Sequence, residues 1–158
     1  MTEEEFEKKL AALEAIEEIK QLQARYVNAL LTPDWDKLID CFAEDATLDI
    51  HAGYVQGKAA ISRIFKEDVS KNHIGQEGAF VVHPIISVDG DSAKASWLLY
   101  IQFAQPRKLV PRPNLGSGED APDWRQGFYD CEYKTENGKW KISMLKWRLR
   151  LTSPLTLK

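Results

Sequence analysis

The stretch of sequence that decides the fold is residues 80–100, FVVHPIISVDGDSAKASWLLY. It contains two apolar runs rich in β-branched residues, separated by the dipeptide Asp89-Gly90. Asp-Gly between such runs is a strong hairpin signal, because glycine adopts a positive φ without steric cost. The stretch therefore predicts two antiparallel strands. The single ionisable ring within it, His83, makes this hairpin the wall of a candidate chemical site.

Three helices are predicted before the hairpin. Apolar residues recur at steps of three and four in the first helix, and Thr2 with Glu5 has the form of a capping box. Residues 1–14 are strongly charged and are predicted to extend beyond the core. Thr32 is predicted to end the first helix and to cap the second. The second and third helices are predicted over residues 34–42 and 58–69.

Alternating apolar residues predict one strand between the helices and four strands after them. The predicted strands cover residues 46–51, the two arms of the hairpin, 127–135 and 140–151. Residues 105–124 are rich in proline, glycine and charge, and so long a connection is typical of a lid or binding loop. The pattern predicts one α+β domain over residues 1–158. A curved, mostly antiparallel sheet would wrap three helices and leave an apolar pocket at its open end.

The composition excludes several classes of function. A formal net charge of −3 argues against non-specific nucleic-acid binding, which needs a basic surface. No apolar run approaches the roughly 20 residues of a membrane helix, and the acidic N-terminus does not resemble a secretory signal. We therefore expect a cytoplasmic protein without membrane contacts. The three histidines and two cysteines show no metal-ligand spacing, so no metal site is predicted.

Short motifs between residues 15 and 151 share one family pattern. They are IEEIK at 16–20, RY at 25–26, DWD at 34–36, FAEDA at 42–46, VDGD at 88–91, GFY at 127–129 and GKWKI at 138–142. On these motifs the chain resembles the SnoaL-like branch of the nuclear-transport-factor-2-like superfamily, which has a cone-shaped α+β fold. The superfamily includes polyketide cyclases, scytalone and bile-acid dehydratases, and ketosteroid isomerases. The resemblance implies a cofactor-independent lyase, isomerase or cyclase acting on a hydrophobic, polycyclic or polyketide-like small molecule.

The resemblance also implies two catalytic residues. In the family's dehydratases a tyrosine on the first helix acts with a histidine on the strand before the hairpin. Tyr26 matches the tyrosine position and is predicted as a hydrogen-bond donor or acid; the alternative is a structural tyrosine at the core edge. His83 is predicted as the base, although the family position falls on Val82. A shift of one residue reverses a strand side chain, unless a β-bulge at His83-Pro84 restores its direction.

Three positions that hold acids in family members are apolar here. They are Leu31, Ile50 and Ile101. Together with Val82 and Trp97 these residues are predicted to line the pocket. The chain therefore lacks the carboxylates that would transfer protons. The alternative function is non-catalytic binding of an apolar small molecule.

Other polar residues are weaker candidates for the site. Asp34 and Asp49 lie close in sequence to the apolar positions, and Asp49 shares one strand face with His51. That face is predicted to point outward. The long loop ends in Asp123, Trp124 and Arg125, which are predicted to fold over the pocket mouth.

The last strand raises the question of assembly. One of its faces carries apolar residues, namely Leu145, Trp147, Leu149 and Leu151. If that face is outward, it forms a subunit interface, as in the small subunits of ring-hydroxylating dioxygenases, which share this fold. If it lines the pocket, the basic face with Lys146, Arg148 and Arg150 is outside. We expect at least a homodimer.

Overall fold

The computed structural model describes residues 1–71, 73–75, 77–102 and 124–152. These residues form a mixed α+β structure with three α-helices packed on a six-stranded sheet, as the sequence predicts. The helices are α1 (Glu3–Leu31), α2 (Trp35–Asp40) and α3 (Lys58–Glu67), and a 3-10 turn covers Val69–Lys71. The strands are β1 (Phe42–Ile50), β2 (Gly53–Gln56), β3 (Gly78–Asp89), β4 (Ser92–Gln102), β5 (Trp124–Glu136) and β6 (Lys139–Thr152). Within these ranges no helix is long and apolar enough to cross a membrane.

The strands form one curved, mostly antiparallel sheet in the order β2-β1-β6-β5-β4-β3. Only the β1–β6 pair is parallel among the described strands. Alternate residues of β4, from Ala93 through Trp97 to Ile101, are buried, whereas those between them are exposed or half-buried. The buried set defines the inner face of the sheet, which packs against the helices. The other set defines the outer face.

The first helix begins as the sequence predicts. The Thr2 hydroxyl accepts from the Glu5 amide at 3.2 Å, and the Glu5 carboxylate accepts from the Thr2 amide at 2.8 Å. The predicted cap of the second helix is wrong, because Asp34 and not Thr32 accepts from the amide of Lys37. The Thr32 hydroxyl instead donates to the carbonyl of Asn28 and closes α1.

Several predicted boundaries also differ from the structure. The strand β1 begins at Phe42 rather than residue 46, and the short strand β2 was not predicted because its glycines suggested a break. Trp124 is the first residue of β5 and not the end of a loop. Residues 103–123, which make up most of the predicted lid, lie outside the described residues.

The predicted hairpin of β3 and β4 is confirmed, and β3 contains the β-bulge considered for His83-Pro84. Val82 pairs with Leu98 and Ile85 pairs with Ser96, so that His83 and Pro84 together oppose Trp97. His83 has φ of 51° and is exposed. The bulge therefore leaves His83 in solvent and does not return its side chain to the inner face.

The inner face of the sheet is tied to α1 by a buried polar chain. The indole of Trp97 donates to the Tyr133 hydroxyl at 2.9 Å, and that hydroxyl donates to the Gln23 side-chain oxygen at 2.8 Å. All three side chains are buried. These hydrogen bonds hold α1 in a fixed position on the sheet. They lie below the open end, where the candidate site is found.

The last strand places its basic residues outside. Leu145 is fully buried and Trp147 packs against the core. Lys146 pairs with Asp49 at 3.3 Å, and Arg148 pairs with Asp130 at 3.0 Å on the outer face. Of the two predicted arrangements, the structure therefore has the apolar face of this part of β6 turned inward.

Candidate active site

A small cavity lies between α1, α3 and the inner face of the sheet, at the end where β1, β4 and β5 approach the 3-10 turn. It encloses about 50 Å³. Its apolar lining consists of Leu30, Ile50, Phe65, Val69, Leu99, Ile101 and Trp147, and its polar lining consists of Tyr26, His51, His73, Arg125 and Tyr129. The cavity therefore combines a mostly apolar wall with a few polar groups, which is the usual composition of a small-molecule site.

Two tyrosines from different elements meet in this cavity. Tyr26 from α1 and Tyr129 from β5 are both buried, and their ring centroids lie 5.9 Å apart in an edge-to-face arrangement. Burial raises the pKa of both phenols above the usual value, and the interaction between their hydroxyls raises that of Tyr26 further and opposes the rise in Tyr129. Both are therefore neutral phenols at pH 7.

His73 is a buried histidine beside the tyrosines. Its side chain is 8 % exposed, and it follows the 3-10 turn, with its amide bonded to the Val69 carbonyl at 3.2 Å. Burial lowers the pKa of His73 most, His51 and Arg125 lower it further, and Glu77 raises it. His73 is therefore a neutral imidazole at pH 7, the form in which it accepts a proton.

The loop that holds His73 is fastened by Glu77. The buried Glu77 carboxylate accepts from the amides of Ile74 and Gly75 at 2.7 and 2.9 Å. Gly75 has φ of 81° and lies against Pro33, so close that an added Cβ would come within 3.3 Å of the proline ring. The loop is thus docked on the connection between α1 and α2, and this docking orients His73.

His51 and Arg125 complete the polar part of the cavity. His51 lies in the turn after β1, and Arg125 lies on the inner face of β5, four residues before Tyr129. The pKa of His51 is lowered by partial burial and then by the positive charge of Arg125. These two side chains are therefore close enough to interact electrostatically.

Besides Arg125, the structure brings together four of the residues predicted for the site. Tyr26, Ile50, His51 and Ile101 all line the cavity. His51 does so because the strand pattern ends at Ile50, and the turn points both residues toward the cavity. The expected outward direction of His51 is thus corrected.

The structure does not bring His83 to Tyr26. His83 and Val82 are exposed on β3 and are absent from the described lining of the cavity. Trp97 is buried but bonds to Tyr133, and Leu31 is half-buried against the core. The assignment of His83 as a base beside Tyr26 is therefore not supported by the geometry, because the bulge turns it to solvent.

The weaker candidates are engaged elsewhere. Asp34 caps α2 and pairs with Lys37 at 2.6 Å, which lowers the pKa of Asp34. Asp49 pairs with Lys146. Trp124 stacks on Tyr100 with ring centroids 5.8 Å apart, on the outer face. None of the three lines the cavity in the described part of the chain.

Sequence reasoning missed His73 and Tyr129. His73 lies in a polar loop without periodicity, so no pattern indicated which way its ring points. Tyr129 belongs to the GFY motif at 127–129, but strand alternation alone does not distinguish a core tyrosine from a site tyrosine. Its position opposite Trp97, on the inner face, is visible only from the strand register. Arg125 was predicted at the pocket mouth, and it does line the cavity.

The described residues contain no group of three or more histidine, cysteine, aspartate or glutamate side chains placed to hold a metal ion. Cys41 and Cys131 are both buried thiols. Burial raises the pKa of Cys41 to about 11 and that of Cys131 to about 12, so both remain protonated at pH 7.

Comparison with known proteins gives a family and a fold. A family model described as a SnoaL-like domain matches residues 11–146. No curated protein matches the sequence significantly. Among solved structures, a hexachlorocyclohexane dehydrochlorinase from Novosphingobium barchaimii LL02 is similar at a TM-score of 0.72 and 17% identity, over 92% of this chain and 93% of that one.

Two further structures share the fold. A protein assigned provisionally as a scytalone dehydratase, from Novosphingobium aromaticivorans DSM 12444, has a TM-score of 0.72 and 17% identity, over 92% of this chain and 91% of that one. A protein of unknown function from Mycobacterium tuberculosis has a TM-score of 0.70 and 19% identity, over 86% of this chain and 72% of that one.

Proposed function

This chain belongs to the SnoaL-like family, and from that premise we propose that it is a cofactor-independent lyase or isomerase for a small apolar molecule. The observation that supports this most is that one apolar cavity is lined by a buried neutral histidine, His73, and by the contacting tyrosines Tyr26 and Tyr129. A base and a proton donor in the same mostly apolar cavity are what an elimination or isomerisation needs.

In the proposed mechanism His73 removes a proton from a carbon of the substrate. The electron pair of that C–H bond forms a double bond, and the neighbouring carbon loses its leaving group as water or as chloride. The charge of the resulting imidazolium is favoured by Glu77, which already raises the pKa of His73. When chloride leaves, the imidazolium releases its proton to solvent. When a hydroxyl group leaves as water with the proton of Tyr129, the imidazolium proton returns to the tyrosinate, so the enzyme regains its starting state in both cases.

The tyrosine pair has the complementary role. Tyr129 is a buried neutral phenol beside Tyr26, and it donates its proton to the substrate oxygen that becomes negative. In a site from which water is excluded, such a bond stabilises charge more than it does in water. We propose Tyr129 as the donor that contacts the substrate and Tyr26 as the residue that positions it, which refines the prediction for Tyr26.

The proposed substrate is compact. The cavity volume of about 50 Å³ is a third of the roughly 150 Å³ cavity that accommodates benzene in an engineered protein. A short branched chain or part of one ring fills that volume, whereas a polycyclic body would have to lie largely outside it. Two relatives by fold are named for dehydrochlorination of hexachlorocyclohexane and for dehydration of scytalone, and both reactions are eliminations.

The proposal is tested by incubating the protein with a panel of compact apolar alcohols and chlorides, together with scytalone and hexachlorocyclohexane as larger compounds. Products are identified by mass spectrometry, and chloride is measured in solution. We expect loss of water or hydrogen chloride from at least one member, and a large reduction in the His73→Asn variant. Recovery of every compound unchanged would contradict the enzymatic function.

The second candidate is a binding protein without catalysis. It is favoured by one observation, that Leu31, Ile50 and Ile101 are apolar where family enzymes carry acids, and two of them line the cavity. The same panel distinguishes the two functions, because a binder retains a ligand in stoichiometric amount and releases it unchanged.

A homodimer is proposed through the outer face of the sheet. Exposed apolar side chains cluster there: Phe80 lies across from Tyr100, which stacks on Trp124, and Val82 and Ile85 continue the patch along β3. Ile85 is 77% exposed and Phe80 is 60% exposed. Contiguous apolar surface of this kind marks interaction sites, and a second copy is the partner that every solution of this protein contains.

A further inference from the structure

We propose that the leading segment of α1, residues 3–14, pairs with the same segment of a second copy of this chain in a short parallel coiled coil. The segment is the first part of a helix of 29 residues. It contributes nothing to the lining of the cavity in the proposed function, and it is separate from the outer face of the sheet. The pairing is therefore tested independently of both.

The leading segment carries an apolar stripe that the core does not cover. Phe6, Leu10 and Leu13 recur at steps of four and three residues, and they are 54%, 45% and 65% exposed. Within the described part of the chain, the first buried residue of α1 is Ala15. At a rise of about 1.5 Å per residue, the uncovered segment is about 18 Å long. An exposed apolar stripe of this length indicates an interaction surface.

The stripe faces away from the core of its own chain. After Leu13 the apolar residues continue at steps of three, at Ile16, Ile19 and Leu22. Three residues cover about 300° of a helix, so each step turns the stripe back by about 60° and the three steps by about 180°. Ile19 and Leu22 are buried in the core. The stripe of the leading segment therefore lies on the opposite side of α1, where the described core does not reach it.

The charges beside the stripe favour a second copy in parallel orientation. When the stripe occupies positions a and d of a heptad, Lys9 takes position g and Glu14 takes the following position e. In a parallel pair in register, g of one helix lies beside the following e of the other, so Lys9 meets Glu14 on both sides of the seam. An antiparallel pair would bring Glu7 beside Glu14, and these like charges repel.

The charge and length of the leading segment limit its partner and its affinity. It contains five glutamates and two lysines, a net charge of −3, which disfavours anionic membranes and nucleic acid. Glu17 takes the next position a and would place a carboxylate between the helices, so the seam ends there. About two heptads pair weakly, and we expect pairing at high protein concentration but not at the micromolar concentration of light scattering.

The test is disulfide cross-linking of Leu13→Cys, whose introduced thiols lie at position d and face each other in the parallel pair. The native thiols Cys41 and Cys131 are buried. The protein is held at about 1 mM in a glutathione redox buffer, a concentration that populates contacts of millimolar affinity. Linked dimers are measured at equilibrium on a non-reducing gel. We expect at least about threefold more linked dimer than in Lys8→Cys, an exposed position on the opposite side of the helix.

Exchange of the charges tests the orientation. In the Leu13→Cys protein, Lys9→Glu or Glu14→Lys replaces an attraction with a repulsion, and each should lower the linked fraction by about twofold or more. The two substitutions together exchange the charges and should restore the linked fraction. Thermal unfolding shows whether each variant is folded.

Equal linking of Leu13→Cys and Lys8→Cys would overturn the inference, and it would leave a different protein or a neutral lipid surface as the occupant of the stripe. A double charge variant that stays as low as either single variant would also overturn it. In a mixture of Leu13→Cys and Phe6→Cys proteins, preferred linking of one to the other would show antiparallel pairing and so contradict the parallel arrangement.

Discussion

The ring of Tyr26 on α1 meets the ring of Tyr129 on β5 edge to face, with centroids 5.9 Å apart and planes at 77°. This contact joins the longest described helix to the inner face of the sheet within the cavity. Both phenols are buried, so each hydroxyl depends on polar contacts inside the protein.

Removal of either hydroxyl should therefore destabilise the fold. Tyr26→Phe and Tyr129→Phe each take away one partner of the buried polar contact, and we expect each to lower the free energy of unfolding by about 1 kcal/mol. Urea denaturation measures both values. Wild-type stability in both variants would contradict a polar contact between the two hydroxyls.

Gly127 permits the close approach of β6 beneath the cavity. An added Cβ would lie 2.1 Å from the Arg148 carbonyl oxygen and 2.9 Å from the Trp147 ring. We expect Gly127→Ala to destabilise the fold by at least about 1–3 kcal/mol, because the strand or the ring must shift. Gly78→Ala is the matched control, since its nearest neighbour lies 3.9 Å away in the side chain of Phe80. Similar unfolding midpoints for the two variants would count against this packing.

Stability should fall as the pH decreases below neutral. The pKa of His73 is lowered by burial, His51 and Arg125 from the usual 6.5, with Glu77 opposing, and that of His51 is lowered by burial and Arg125. Between the folded and unfolded pKa values the unfolded chain binds more protons, so the free energy of unfolding decreases as pH falls through 6.5 and levels off below the folded values.

Urea unfolding at about pH 7.5 and about pH 5.5 measures this dependence, and His73→Asn should reduce it. His83→Asn, at an exposed histidine outside the described lining of the cavity, is the matched control variant. Asp34, Asp45 and Asp130 have pKa values lowered from 3.8, so their contribution is lost only at more acidic pH. If the free energy of unfolding of His73→Asn depends on pH as that of the wild-type protein does, His73 is not the group that titrates.

The outer face of the sheet should hold two copies together. Ile85→Lys places a charge in the most exposed apolar position of the patch, and we expect it to convert a dimer to a monomer in light scattering at micromolar concentration. Because Ile85 is 77% exposed, the unfolding temperature of each folded chain should change little. Tyr54→Lys, on the opposite edge strand, should remain dimeric. A monomeric wild-type protein would contradict the proposed dimer.

Apolar residues that recur every two positions, or every three to four, predicted most of the strands and helices. Such spacing shows which face of each element is buried. The hairpin at Asp89-Gly90 and the capping box at Thr2 were local enough to be recognised without tertiary information. The family resemblance also predicted that Ile101 lines the cavity.

The site itself was less predictable, since its polar residues lie where periodicity ends. His51 follows the last residue of β1, and His73 lies in a loop oriented by Glu77 and by packing of Gly75 on Pro33. His83 was misplaced because a bulge changes the direction of side chains in a way that the sequence alone does not reveal. The orientations of these three histidine side chains depend on tertiary contacts between residues that are distant in sequence.

The central claim is that His73, and not His83, is the base of the site. The most direct measurement is the turnover of His73→Asn and His83→Asn on whichever member of the substrate panel the wild-type protein converts. Asparagine tolerates the positive φ of His83 and removes the titratable ring from either position. We predict a loss of at least about a hundredfold in kcat for His73→Asn, as for removal of a general base, and wild-type turnover for His83→Asn. Loss of turnover in His83→Asn with full activity in His73→Asn would contradict the account.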